Sequence, residues 1–291
     1  MTTVGASNVH PVAIRGTFDD CQTIVKGLFA NAGFRDVYAL AGVNSINWAR
    51  ILGQVVYYFT AAVALGGGSP ASFAVPTGNF GDVFAGYVAK RMGLAIDKLV
   101  IATNVNDILA RTLDTGTYEL RTVVATSSPS MDIQVSSNFE RLLFDAYGRD
   151  PAAVRRLMQD LSARGAFSID AAPLATIRAG FAAGCASEAE VAITIAETYR
   201  DTGFLPDPHT AVGLAVAKRF ARPGIPMVTL ATAHPSKFAA AVKAAIGVEA
   251  PLPARFADIF SRREDYVTLA NDQKAVEDHV AALSRAATEK A

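Results

Sequence analysis

The sequence predicts an α/β protein built on parallel sheets covered by helices, and three observations carry that expectation. A strand-like apolar run that opens into a polar loop and then a helix-like pattern occurs twice in succession, at 72–93 and at 98–116. Units of this length place consecutive strands parallel, because the helix must carry the chain back to the starting edge. The chain has 291 residues, 51% of them apolar, enough for a substantial core in one large or two ordinary domains. The GGGSP of 66–70 is a Gly/Pro break of the kind that separates elements.

The elements follow in order. NVHPVAI reads as a strand over 9–14. Thr17 followed by Asp20 makes a capping-box start, and Cys21, Ile24, Val25 and Leu28 recur at helical spacing, so a helix is expected over 19–31. A long apolar helix should run from Asn47 to about Leu65 and stop at the GGGSP loop. Strand, loop and helix then occupy 72–93, and KLVIATN at 98–104 is a second strand with its helix in NDILARTLDTG. Loop and helix are expected over 126–148, and a polar helical excursion over 150–172. Two helices follow around an Asp207-Pro208-His209 turn, and PMVTLATAHP is a buried strand that delivers Thr232 into a loop. The last forty or so residues read as helical and polar, without a site signal.

Lys and Arg number 27 against 27 Asp and Glu, so the chain has no net charge and no basic run interleaved with aromatics. The electrostatic footprint of nucleic-acid binding is missing, and small metabolites fit better as ligands. Cys21 and Cys185 lack metal-ligand spacing and read as buried thiols in a reducing, cytoplasmic setting. The longest apolar stretch, 55–65, is about half of the ~20 residues that cross a bilayer, and no charged-then-apolar leader opens the sequence.

SFAVPTGNFGD at 72–82 is the segment with the clearest chemistry. Gly78 and Gly81 let main-chain N–H groups approach an oxyanion, and the following helix turns its positive dipole end to the same point. The loop matches neither the dinucleotide fingerprint nor the triphosphate-loop pattern. By itself it serves equally as plain turn chemistry or as an anion cradle.

Four segments in this order, VNSINWARILGQVVYYF, PTGNFGD, SSPSMDIQVSSNFERLL and LATAHPSKF, closely resemble the threonine synthase family of fungi and many bacteria. That family belongs to the pyridoxal-phosphate enzymes of tryptophan-synthase-β-like fold (fold type II), and the likeness extends over nearly the whole chain. The resemblance implies that Gly78, Asn79, Phe80, Gly81 and Asp82 cradle the phosphate of pyridoxal 5'-phosphate and that Thr232 meets the pyridine nitrogen. It implies that Asn44, Ser45 and Arg50 contact the substrate phosphate, where the residues alone would read as helix caps and a surface cation. His234 and His209 are expected to order turns, Asn106 and Asp107 to cap the next helix, and Ser127, Ser128 and Ser130 to line the cleft or its turns.

The resemblance also implies a Schiff-base lysine in a Ser/Ala-Phe-Lys-Asp-like segment, which is not in this sequence. The eight lysines are at 26, 90, 98, 218, 237, 243, 274 and 290. The expectation is therefore a C-terminal fragment with a sheet incomplete at the N-terminus, with 1–45 the remnant of a small domain and 46–291 the large cofactor domain. The implied activity is conversion of O-phosphohomoserine and water to threonine and phosphate. This chain alone is expected to be inactive, or to assemble with a separate N-terminal piece, and a phospho-lyase related to threonine synthase is the further alternative.

Overall fold

The computed structural model describes residues 2–43 and 45–284. Contacts divide the chain into two compact units, Met1–Gly42 with Leu252–Ala291, and Val43–Pro251.

The first unit opens with β1 (Val12–Ile14), α1 (Phe18–Ala30) and α2 (Ala32–Val37). The expected capping box starts α1: Asp20 N–H donates to the Thr17 hydroxyl at 3.3 Å, and the Asp20 carboxylate accepts from Thr17 N–H at 2.6 Å. Asn31 ends this helix and caps the next by accepting from Phe34 N–H at 3.2 Å.

The second unit contains, in chain order, α3 (Trp48–Ala64), β2 (Ala71–Pro76), α4 (Gly81–Arg91), β3 (Ile96–Thr103), α5 (Ile108–Thr115), β4 (Thr117–Glu119) and a 3₁₀ turn at Pro129–Met131. It continues with α6 (Phe139–Ala146), α7 (Pro151–Arg164), β5 (Ala166–Ser168), α8 (Ala171–Gly180), β6 (Phe181–Cys185), α9 (Glu188–Thr202), α10 (Pro208–Phe220), β7 (Met227–Thr229) and α11 (Ala239–Ile246). Strands pair in the order β6-β3-β2-β7, all parallel.

Side-chain alternation divides the core into two layers. Phe73, Val75, Leu99 and Ile101 project into the cluster shared with α3, α4, α6 and α8. Ala74, Val100 and Ala102 project into the cluster of α9 and α10. Both faces of β2 are covered, which is why it reads as an unbroken apolar run. Gly86 of α4 has Tyr58 and Leu99 where a Cβ would sit, 2.5 and 2.7 Å away, so α3 and α4 meet at a distance only glycine permits.

The chain leaves β2 for β3 on one side, while β7 comes to lie on the other side of β2. The loops after β2 and β7 therefore diverge at a topological switch point, where open α/β sheets form ligand crevices at their strand carboxyl ends.

The chain returns to the first unit with β8 (Val267–Leu269), parallel to β1, and α12 (Gln273–Leu283). Val276 packs with Ile24 and Leu28 in a small core. The expected continuous domain 46–291 is thus divided, because 252–284 satisfies its strand and its apolar face with the first forty residues. The excursion at 150–172 is not helical throughout. Gly165 in the left-handed region ends α7, and β5 pairs antiparallel with β4, stacking Phe167 on Tyr118 at 4.9 Å. Among the described residues no helix is long and apolar enough to cross a membrane.

Candidate active site

At the switch point lies a cleft of about 570 Å³ within the second unit. It gathers Ser45, Arg50, Gly78, Asn79, Phe80, Gly81, Asp82 and Thr232, residues distant in sequence that the sequence analysis singled out together. Asn44 lies outside the described residues.

The loop after β2 is built to expose main chain. Thr77 extends the ladder by one residue, donating its N–H to Ala102 O at 2.8 Å, and its buried hydroxyl turns back to Val75 O at 2.6 Å. At Gly78 an added Cβ would lie 2.4 Å from Ser130 O, so the chain touches the 129–131 turn where a side chain would stand. Phe80 has φ 65°, a left-handed conformation rare for a bulky residue. Its ring, 1% exposed, is fixed in the core by Phe139 at 5.3 Å and Phe181 at 6.0 Å. Turning the chain there starts α4 at Gly81, two residues before the expected Val83, with no side-chain cap. First-turn N–H groups of an uncapped helix are free donors at its positive end, the arrangement that takes an anion.

The loop is held from behind by the segment before α6. Asn138 donates from its side-chain amide to Asn79 O at 2.9 Å and to Ser45 O at 3.0 Å, and from its backbone to Asn79 O at 3.1 Å. Ser136 Oγ donates to Gly78 O at 2.7 Å, and Ser137 Oγ to Asn79 Oδ1 at 3.2 Å. Arg141 braces Asn138 Oδ1 and Ile46 O.

Asp82 differs from the rest of the loop. Burial raises its carboxyl to about 6, against the hydrogen bond from the Tyr58 hydroxyl and the charge of Arg50, both of which lower it. Tyr58 O–H also donates to Asp82 O at 2.8 Å, and its own pKa is raised well above the usual value, first by burial.

Other groups that line the cleft are less occupied. Arg50 is exposed, and its guanidinium forms no hydrogen bond or ion pair among the described residues. The Thr232 hydroxyl likewise has no partner among them. Lys237 lines the cleft with its ammonium 6.0 Å from the Phe238 ring centre. Of the other described lysines, Lys90 and Lys98 donate to backbone carbonyls, and Lys218, Lys243 and Lys274 pair with carboxylates.

Several minor expectations change. His234 is exposed and caps the turn at Pro235–Phe238, accepting from Ser236 N–H at 3.2 Å, as a turn-ordering residue should. His209 does more than order its own turn: it is buried, lines the cleft and reaches the 129–131 turn. Asn106 and Asp107 do not cap α5. Asp107 instead takes a 2.7 Å ion pair from Arg111, and Asn106 joins a buried cluster with Asn104, Val124 and Asp132. Ser128 belongs to that cluster, Ser130 lines the cleft, and Ser127 bonds to Glu188 instead. Asn138 and the Asn104 cluster escaped sequence reasoning because most of their partners lie far along the chain, whereas Asp207 reads in the sequence only as part of a turn, although its partners His209 and Thr210 are two and three residues on.

A model of the family "Threonine synthase, C-terminal" matches residues 210–280. A threonine synthase of Pseudomonas aeruginosa is 49% identical over 283 residues, which cover 96% of this chain and 60% of that protein. The crystal structure of a PLP-bound threonine synthase from Brucella melitensis superposes with a TM-score of 0.94 at 58% identity, covering 98% of this chain and 62% of that one. Threonine synthase from yeast gives 0.88 at 37% identity, covering 99% and 62%. The chain thus spans about 60% of the length of these relatives.

Proposed function

Since the chain belongs to the threonine synthase family, we propose that it supplies the cofactor cradle and the phosphate contacts of an enzyme that converts O-phosphohomoserine and water to threonine and phosphate. The observation that carries this reading is the uncapped amino end of α4, reached through Gly78 and the left-handed Phe80, in one cleft with Arg50 and Thr232.

The residues present fit pyridoxal 5'-phosphate. Gly78, Asn79, Phe80, Gly81 and Asp82 would hold its phosphate on main-chain N–H groups, and the clash that meets a Cβ at 78 shows how closely the cradle is drawn. Thr232 would meet the pyridine nitrogen with a neutral hydroxyl, which offers a hydrogen bond and no charge. When bound, the cofactor supplies an electron sink for carbanions formed beside the substrate's amino group. Ser45 and Arg50 would bind the departing phosphate, together with Asn44 just before them. The Arg50 guanidinium, which forms no ion pair among the described residues, would keep its planar donors for a phosphate. The walls of the cleft would orient the substrate by both its phosphate and its amino-acid end.

We infer that this chain alone does not turn over. Lys237 is the one lysine lining the cleft among the described residues, and it follows by five positions Thr232, the residue that would meet the ring nitrogen. The amine that anchors the aldehyde would come from the part of the relatives' length that this chain does not span, in the same polypeptide or as a separate piece. The apolar outer side of α3, with Trp48, Leu52, Val56 and Val63 exposed, supports such a covering. The site of action would be the cytoplasm.

The test supplies the purified chain with pyridoxal phosphate and O-phosphohomoserine and measures threonine and phosphate. No turnover is expected from the chain alone, with activity on adding the portion of the Pseudomonas aeruginosa enzyme that it does not span. Vigorous turnover by the chain alone would defeat the division of labour. Phosphate release without threonine from the completed protein would favour the phospho-lyase.

A further inference from the structure

We propose that the buried Asp207 and His209 form a positioning pair that holds the Ser130 peptide against Gly78 and so sets the shape of the phosphate cradle. The inference rests on the reading of 78–82 as that cradle.

Asp207 is the N-cap of α10, and its side chain is fully buried. Oδ1 lies 2.9 Å from both the backbone nitrogen and Nδ1 of His209, and Oδ2 accepts from the Thr210 hydroxyl. Burial opposes a charge on this carboxyl, yet the hydrogen bonds from His209 and Thr210 hold it below the ordinary carboxylate range. The amino end of α10 adds favourable dipole potential at the same place. An ionised carboxylate can only accept, so the hydrogen on Nδ1 must point at it.

That tautomer leaves a bare lone pair on Nε2, which accepts the N–H of Ser130 at 3.3 Å. The opposite tautomer, or a protonated ring, would set N–H against N–H. The Ser130 carbonyl, at the other end of the same residue, occupies the place a Cβ of residue 78 would take. Phe238 packs on the imidazole with ring centres 4.6 Å apart and fixes its plane. Both ring nitrogens are therefore committed, and the histidine acts through the Ser130 peptide instead of moving a proton to a ligand.

Equilibrium titrations of the full chain with pyridoxal 5'-phosphate and with pyridoxal, which lacks the phosphate, test this directly. His209→Leu should weaken pyridoxal phosphate roughly tenfold and leave pyridoxal unchanged. His209→Gln, whose side-chain carbonyl can accept from Ser130, should recover most of the loss. Asp207→Asn keeps a capping residue but removes the charge that orients the imidazole, and should give an intermediate loss.

In the ligand-free chain, amide exchange at 78–82 should quicken in His209→Leu and not in His209→Gln. Equal losses for the two ligands, no rescue by Gln, or exchange that quickens uniformly along α10 and the sheet would overturn the pair's positioning role. Should the wild-type chain bind both ligands alike, the cradle reading fails, and the exchange measurement still decides whether the pair holds the loop.

Discussion

On one wall of the cleft, formed by 77–82, Ser130, Met131 and His209, polar groups are tied into the protein, some of them from behind: Gly78 O to Ser136, Asn79 O to Asn138, Ser130 N–H to His209. In the rest of the lining, the side chains of Arg50, Thr232 and Lys237 form no hydrogen bond or ion pair among the described residues. The first wall resembles a finished anion receptor, shaped before any ligand arrives, so little ordering entropy remains to be lost on binding. The second has the donors without their geometry. On the proposed reading, phosphate capture and substrate orientation would be different problems, one solved by packing and the other left to side chains without a fixed partner.

The strongest way to break this contrast is to strike the packed wall. Gly78→Ala puts a methyl group 2.4 Å from a backbone oxygen that no rotamer change can move. Pyridoxal phosphate affinity should fall by about a hundredfold, with destabilisation on the order of 1–3 kcal/mol, measured by ligand titration and urea unfolding. Retained affinity would mean that the loop is adaptable after all.

Asn138→Ala removes the side-chain bonds to Asn79 O and Ser45 O together. It should cost about 1–2 kcal/mol in urea unfolding, chiefly because Ser45 O loses its donor, while Asn79 O keeps the backbone N–H of residue 138. The smallest stability effect is expected on the open wall. Arg50→Gln should stay within about 0.5 kcal/mol of the parent in the same assay, because an exposed cation without an ion pair contributes little to folding. In the completed enzyme it should raise KM for O-phosphohomoserine, and an unchanged KM would remove Arg50 from the phosphate site.

Much of the packed wall was legible in the sequence because its signal is contiguous. The apolar run, the two glycines and the helix pattern of 72–93 stand next to one another and obey local rules. What could not be read is how the loop is held. Asn138 meets Ser45 across 93 residues, and Ser130 meets His209 across 79, so no spacing rule connects them. The left-handed turn at Phe80 was hidden for a similar reason, since it is imposed by Phe139 and Phe181 and not by local preference. β6 escaped because its FAAGC residues are mostly small and have little strand propensity, leaving only its pairing with β3 to define it. Thr232 and Arg50 would have passed as ordinary surface residues without the family resemblance.

The ring of Phe80 has a consequence for time scales. An exposed glycine-rich loop samples its conformations in nanoseconds to microseconds, whereas a buried aromatic side chain lets go only when the interior around it opens. Because the residue that turns the chain into α4 is anchored by two core phenylalanines, the cradle should relax at the slow pace of the protein's interior. A phosphate arriving at this loop would then meet one persistent shape on every encounter.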